Sequence, residues 1–251
     1  DKNTVDLAIA NNVLAHVPNI NDFVKGFYEI LNPEGVATFE NPHLLELANG
    51  KQFDTIYHEH FSYLSLTSVN EIFKNNGLTI FDVEKIPVHG GSLRYYAQKS
   101  DTGRRFISKR VNALLKEERD AGLTNLDFYR NFQKVAESIR DEFKNFLIEQ
   151  KNNGKLIAGY GAAAKGNTLL NFCNISKALL QFIVDKNPMK QGLYCPGSKI
   201  PILDEKKIRE EKPDFIVIFP WNIKDEIIDQ LKFTKKWGCK FVVAIPSLSI
   251  I

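Results

Sequence analysis

From residue 155 to the end, short apolar runs alternate with amphipathic stretches, and that alternation leaves few architectures open. Strands are expected at 155–160, 179–184, 214–219 and 240–245, with helices at 163–174, 204–210 and 222–236. A strand followed by a helix cannot fold back as a hairpin, so it must cross over and lie parallel to the next strand. The expected result is a three-layer α/β unit.

The first hundred residues read differently. The segment 5–11 is expected as a buried strand, followed by a helix over about 21–31 with Phe23, Phe27, Ile30 and Leu31 on one face. Asn19 or Asn21 is placed to cap it. Asn32-Pro33-Glu34-Gly35 is turn chemistry ahead of a second strand at 35–40. A helix over 67–76 is opened by Thr67 and closed by Gly77. Strands at 78–86 and 92–99, joined across Gly90 and Gly91, form a hairpin. Residues 104–153 carry no strand signal and read as two long helices. In the second, Leu126, Tyr129, Phe132, Ala136, Ile139, Phe143 and Phe146 form a core-facing stripe that ends at Gly154. Three segments follow: 1–103, a helical connector over 104–154, and 155–251.

Composition excludes several classes. Of 251 residues, 33 are basic and 30 acidic, so a strongly basic nucleic-acid binder is not expected. No apolar run approaches the length of a membrane span. Hydrophobic residues at 43% and charged residues at 25% suit a folded globular chain rather than a disordered one. Cys173, Cys195 and Cys239 form neither a disulfide framework nor a zinc knuckle, and fit a reducing cytoplasm. The start at Asp1 reads as part of a longer protein.

All five histidines, His16, His43, His58, His60 and His89, fall in the first ninety residues. The tightest group is Tyr57-His58-Glu59-His60, which supplies proton donors and acceptors that work near neutral pH. In an extended segment Tyr57 and Glu59 share one side and the histidines the other, and a single turn would gather them. The residues alone fit a structural role, acid–base chemistry, or a metal site that would need further ligands. Asn11, Asn12 and His16 stand at the carboxyl end of the first strand, where ligands bind in open α/β sheets and where the same side chains can also order a loop. His89-Gly90-Gly91-Ser92 either lets the backbone approach a ligand or makes an ordinary turn.

The sharpest local pattern is Lys155-Leu-Ile-Ala-Gly-Tyr-Gly-Ala-Ala-Ala-Lys165. Gly159, Gly161 and Ala164 match G-x-G-x-x-A between a strand and a helix, whose amino terminus offers N–H groups and a positive dipole to phosphate. Lys165 adds a charge, and Asp185 ends the next strand where a ribose hydroxyl would sit. NAD and a nucleoside diphosphate both satisfy this pattern.

Taken in order, these motifs resemble the S-adenosylmethionine-dependent C-methyltransferases of nucleotide-linked deoxysugars. The resemblance runs through Ala-Asn-Asn-Val-Leu-Ala-His (10–16), Tyr57-His-Glu-His-Phe-Ser-Tyr-Leu-Ser65, His89-Gly-Gly-Ser-Leu-Arg94, Gly159-Tyr-Gly-Ala-Ala-Ala-Lys165, Asn171-Phe172, Lys190-Gln-Gly192 with Pro196-Gly197, and Trp221-Asn222. That family has a small amino-terminal zinc domain, a class I methyltransferase domain and a Rossmann-like carboxy-terminal domain. The resemblance implies that 1–103 is the second half of the methyltransferase domain, with the zinc domain and the first three strands absent. The retained strands would be the contiguous 4-5-7-6 part of a 3-2-1-4-5-7-6 sheet, leaving the first strand as an exposed edge. Residues 155–251 would be the smaller Rossmann-like domain.

What the resemblance implies chemically is methyl transfer from S-adenosylmethionine to carbon 3 of a 4-keto hexose carried on dTDP, through an enolate. Tyr57, Glu59 and His60 would form the acid–base group, with His16 catalytic or orienting. Asn11 and Asn12 lie where the loop after strand 4 passes the cofactor. His89, Ser92 and Arg94 would meet the sugar or its diphosphate. Gly159, Gly161, Lys165, Asn171, Phe172, Lys190 and Trp221 would serve the nucleotide. No metal site is expected in this chain, since zinc belongs to the absent domain. Binding of S-adenosylmethionine is expected to be weak or absent, because the glycine loop and the acid that grip it lie in the absent strands. Two other readings remain: a nucleotide-sugar-binding module without catalysis, and an NAD-dependent oxidoreductase built on Gly159, Gly161, Ala164 and Asp185.

Overall fold

The structure, a computed structural model, describes residues 2–251. The chain divides into two units: Asp1–Asn49 with His58–Asn131, and Gly50–Tyr57 with Phe132–Ile251.

The first unit is built on β1 (Val5–Asn11), α1 (Ile20–Ile30), β2 (Leu31–Pro42), α2 (Leu44–Asn49), α3 (Leu66–Asn75), β3 (Leu78–Ile86), β4 (Ser92–Lys99), α4 (Lys109–Asp120) and α5 (Leu126–Arg130). Its sheet runs β1-β2-β4-β3, with β1 parallel to β2 and β4 antiparallel to both neighbours. This is the 4-5-7-6 order that the resemblance implies. Strand β1 is an edge, and Leu7 and Ile9 on its outer face are 56% and 61% exposed. Alternation decides the rest: Leu93, Tyr95 and Ala97 enter one core, with Phe39 and Phe73, whose rings lie 4.7 Å apart. The opposite face carries Arg94, Tyr96 and Gln98, paired with Glu40, Glu84 and the Arg105 backbone.

Several local expectations are corrected. Asn32-Pro33-Glu34-Gly35 is not a turn before β2 but a bulge within it: Val5 pairs with Leu31 while Leu7 pairs with Val36. A Cβ at Gly35 would lie 2.6 Å from the Val5 carbonyl oxygen, so the bulge needs glycine there. Asn19, not Asn21, caps α1, accepting from the Asp22 amide at 3.1 Å. Helix α3 is capped by Ser65 rather than Thr67, in a reciprocal pair with Ser68. The Thr67 hydroxyl is taken by Glu118 at 2.6 Å, a contact no local pattern reveals. The short α2 was not foreseen.

The helical stretch 104–154 is split between the units. Its first helix is only α4, and its long stripe is broken at Asn131. Leu126 and Tyr129, 76% and 39% exposed, lie outside the core stripe. Ala136, Ile139, Phe143 and Phe146 are buried as expected, on α6 (Phe132–Asn152) of the second unit.

The second unit continues with β5 (Ile157–Tyr160), α7 (Ala164–Phe172), β6 (Phe182–Val184), β7 (Ile202–Leu203), α8 (Lys206–Glu211), β8 (Phe215–Ile218), α9 (Lys224–Gln230), β9 (Lys240–Val243) and β10 (Ser249–Ile250). The sheet order is β10-β9-β8-β5-β6-β7, parallel except for β10. The strands are apolar on both faces because both faces are covered. Ile157, Ile183, Val217 and Val242 enter one core with α6 and α7. Ala158, Val184, Ile216 and Phe241 enter another, with Ile208 of α8 and Ile227 of α9. The helix expected over 222–236 breaks after Gln230 and resumes as a 3₁₀ turn, Lys232–Trp237. The two-residue strands β7 and β10 are too short to carry a period and were not foreseen.

Candidate functional site

In the first unit the candidate site lies at the carboxyl end of β1. Asn11 ends the strand, and Asn12 takes a positive φ of 55° as its amide donates to the Glu40 carbonyl at 2.7 Å. The chain then makes the 3₁₀ turn Leu14–His16. The Ala15 carbonyl of that turn accepts from the amides of Phe61 at 2.8 Å and Ser62 at 3.3 Å. This draws the downstream motif onto the turn and sets the His16 and His60 rings edge-on, 4.8 Å apart. Tyr63 stands edge-on to His60 at 5.9 Å. Two imidazoles separated by 44 positions in sequence thus share one site. Glu59 and His58 are exposed beside them in the chain, whereas Tyr57 belongs to the second unit.

The hairpin residues sit in varied settings. His89 is exposed with φ 55°. Ser92 is buried, and its hydroxyl donates to the Val88 carbonyl at 3.1 Å, so it holds the turn. Arg94 grips Glu40 through two nitrogens, at 2.8 and 3.2 Å.

In the second unit the glycine turn follows β5. Gly161 has φ 86°, and a Cβ there would lie 2.6 Å from the Pro220 ring. Gly159 and Gly166 let the strand and α7 close on Phe219, where a Cβ would come within 2.7 and 2.9 Å. Asp185 is not free for a ribose as the sequence suggests. Its two oxygens accept the Ala162 and Asn187 amides, each at 2.8 Å, and Lys190 bridges from the Ala162 carbonyl at 2.9 Å. This strut role weakens the case for NAD. Strand β8 flanks β5 on the side away from β6, so the turn lies at a switch point of the sheet. A cavity of about 260 Å³ opens there, lined by Tyr160, Gly161, Asp185, Pro220 and Gln230.

Lys165, in the first turn of α7, donates to the Asn222 side chain at 2.8 Å and lies 4.2 Å over the Trp221 ring. Burial lowers its pKa. The Trp221 indole donates in turn to Asp54 at 2.7 Å. Asp54 is 1% exposed, and burial pushes its carboxyl up to about 6. Further along α7, Asn171 donates to the Pro196 carbonyl at 3.1 Å, and Phe172 packs on Phe53 at 5.0 Å. Lys165 and Trp221 therefore form one cluster and Lys190 joins the glycine turn, while Asn171 and Phe172 act in packing. Asp54 was missed. Its one local signal is an acid between apolar residues in Phe53-Asp54-Thr55-Ile56. Among the described residues no three His, Cys, Asp or Glu side chains gather to hold a metal, and no helix is long and apolar enough to cross a membrane.

A family model described as the C-methyltransferase C-terminal domain matches residues 87–246. The chain belongs to the C-methyltransferase family. A methyltransferase-domain model matches residues 1–83. C-methyltransferase NovU of Streptomyces niveus is 36% identical over 245 residues, covering 98% of this chain and 58% of the relative, so the chain spans under two thirds of that relative's length. Among solved structures, the Burkholderia thailandensis 1,6-didemethyltoxoflavin-N1-methyltransferase with bound S-adenosylhomocysteine is 17% identical, covers 40% of this chain and 46% of its own, and has a TM-score of 0.33. An S-adenosylmethionine-dependent methyltransferase from Mesorhizobium loti is 14% identical, covers 39% and 63% respectively, and also has a TM-score of 0.33.

Proposed function

We propose that the chain serves C-methylation at carbon 3 of a 4-keto hexose carried on a nucleoside diphosphate such as dTDP. The observation that carries this reading is the His16–His60 pair at the carboxyl end of β1. A 4-keto group acidifies the neighbouring C–H, so the protein must take that proton and steady the oxyanion that results. His60, with Tyr57 and Glu59 of the same motif, moves the proton, and His16 orients or shares it. Asn11 and Asn12, polar and exposed where β1 ends, fit one side of S-adenosylmethionine, which when bound supplies the electrophilic methyl group. Arg94 and His89 face the substrate side of the chemistry in this reading. The glycine turn with Lys165, Lys190 and Trp221 holds the nucleotide diphosphate.

Two measurements test this. Calorimetry should find dTDP binding that Lys165→Ala weakens by about 1–3 kcal/mol; equal affinity in the variant removes Lys165 from the site. In a methyl-transfer assay of an intact parent enzyme that contains this chain, Tyr57→Phe and His60→Asn should lower kcat by about 10²–10⁴-fold with little change in KM. Near-normal turnover in both would sink the acid–base assignment.

A further inference from the structure

We propose that Asp54 is a positioning residue: through the Trp221 indole it holds the segment ending in Tyr57 on the helix that carries Lys165, and so links nucleotide occupancy to the tyrosine. The second half of this rests on the nucleotide reading above; the first half does not.

Residues 50–57 are an excursion. The chain leaves the first unit after Asn49, packs eight residues into the second unit, and rejoins the first at His58. Those eight residues are tightly fixed. Phe53, 6% exposed, enters the second unit's core and meets Phe172 of α7. The 3₁₀ turn Phe53–Thr55 is closed by the Thr55 hydroxyl on the Gln52 carbonyl at 2.7 Å and by the Ile56 amide on the Phe53 carbonyl at 3.0 Å. Asp54 supplies the polar anchor, and Tyr57 follows three positions later. Asp54 and Tyr57 therefore share one short segment whose position the Asp54 anchor helps to set.

Packing alone does not explain the carboxylate. Asp54 is all but fully buried, yet only its Oδ2 has a side-chain donor, the Trp221 indole, and its Oδ1 has no hydrogen-bond partner. An unmet buried carboxylate oxygen costs stability, and a neutral isostere would avoid that cost. Burial pushes its pKa up to about 6, in the direction that this cost implies. Against it stand the indole N–H, the backbone amides of residues 54 and 55, and the charge of Lys165. Lys165 is the charged side chain that bears on Asp54 among the described residues.

Trp221 is shared between the two. Its N–H goes to Asp54 and its ring face lies under the Lys165 ammonium. An anionic ligand at the glycine turn competes for that ammonium. As the lysine's charge is neutralised or drawn off the ring, Asp54 loses the cationic support of Lys165 and holds its proton more tightly. Diphosphate binding should thus drive proton uptake at Asp54 and change the strength of the indole hydrogen bond that fixes the tyrosine segment.

The test uses the full chain. It has two tryptophans, so the Trp221 indole N–H resonance can be assigned by its loss in Trp221→Phe. In the wild type that resonance should titrate with a midpoint near 6, and saturating dTDP should move the midpoint upward. Asp54→Asn keeps an acceptor of the same shape but cannot ionise, so the titration should vanish while the fold stays intact. In a methyl-transfer assay of a longer enzyme that carries this chain together with a cofactor-binding glycine loop, Asp54→Ala, which removes the acceptor, and Trp221→Phe should each lower kcat by roughly 10- to 100-fold, as expected of misplaced catalytic groups, with KM changed far less. A pH-independent Trp221 resonance, an unaltered titration in Asp54→Asn, or wild-type kcat in both variants would overturn the positioning role. A midpoint unmoved while calorimetry shows dTDP bound would overturn the link alone. No dTDP binding at all would overturn the nucleotide reading together with the link, and the indole titration would still decide the positioning role.

Discussion

The most deeply buried carboxylate of each unit meets an opposite fate. In the first unit, Glu118 of α4 receives the Leu66 amide at 2.7 Å, the Thr67 amide at 2.8 Å, the Thr67 hydroxyl at 2.6 Å and the His43 ring at 2.8 Å. Burial alone would raise its pKa, but His43, Thr67 and the two amides outweigh it, and the carboxyl stays below its ordinary value. In the second unit, Asp54 has one side-chain donor and its pKa rises to about 6. Neither residue is exposed to solvent, but burial weighs more on Asp54 and the donors weigh more on Glu118, and together these set opposite signs. The surroundings differ to match. The first sheet has a core on one face and a polar network on the other, where a buried acid finds partners. The second sheet is apolar on both faces, where it does not.

The largest effect expected from this contrast is at Glu118. Replacement by alanine strands two helix-terminal amides and the His43 ring in the interior, and should cost about 3–5 kcal/mol. Chemical denaturation followed by circular dichroism measures it, since both tryptophans lie in the other unit. A loss below about 1 kcal/mol would mean the network is not what holds α3 to α4. The pH dependence carries the sign of a depressed carboxyl. Its stabilisation is complete above the unfolded value of 4.5 and fades as pH falls toward the lower folded value.

Asp54 should show the reverse. With the folded value near 6 against 3.8 unfolded, the folded chain binds the extra proton between those values, so stability from this group falls as pH rises. Asp54→Asn should therefore gain about 2–3 kcal/mol at pH 8 and almost nothing at pH 4. Tryptophan fluorescence reports the second unit's unfolding directly. A destabilised variant at pH 8 would reverse the comparison. The smallest effect concerns the edge of the first sheet. Leu7→Lys with Ile9→Thr should change stability by under about 0.5 kcal/mol, yet reduce any self-association seen by sedimentation, because a charged edge resists pairing.

The order of the first sheet was legible only through the family resemblance, whereas the G-x-G-x-x-A turn was legible in the residues themselves because glycine is needed at Gly161 for its φ. What stayed hidden depends on partners remote in sequence. Thr67 looks like a cap until Glu118, 51 positions on, takes its hydroxyl. Asp185 looks like a ribose acceptor until the turn's own amide occupies it. Asp54 means little without Trp221, 167 positions away. The periodic stripe from Leu126 to Phe146 was half legible, because periodicity is blind to a break at Asn131 where the chain passes from one unit to the other.

The excursion at 50–57 also bears on how the chain is made. A ribosome delivers the first sheet through Lys99 before any of α6 or β5 exists. Until those elements emerge, Phe53 has no core to enter, and a large aromatic is left in water. Completion of the second unit therefore depends on a strap synthesised some eighty residues earlier. Separate expression of 132–251 would leave an empty Phe53 slot beside Phe172, and supplying 50–57 as a peptide in trans should fill it. A second unit moved into another protein without residues 50–57 would lose the Phe53–Phe172 contact that the strap supplies.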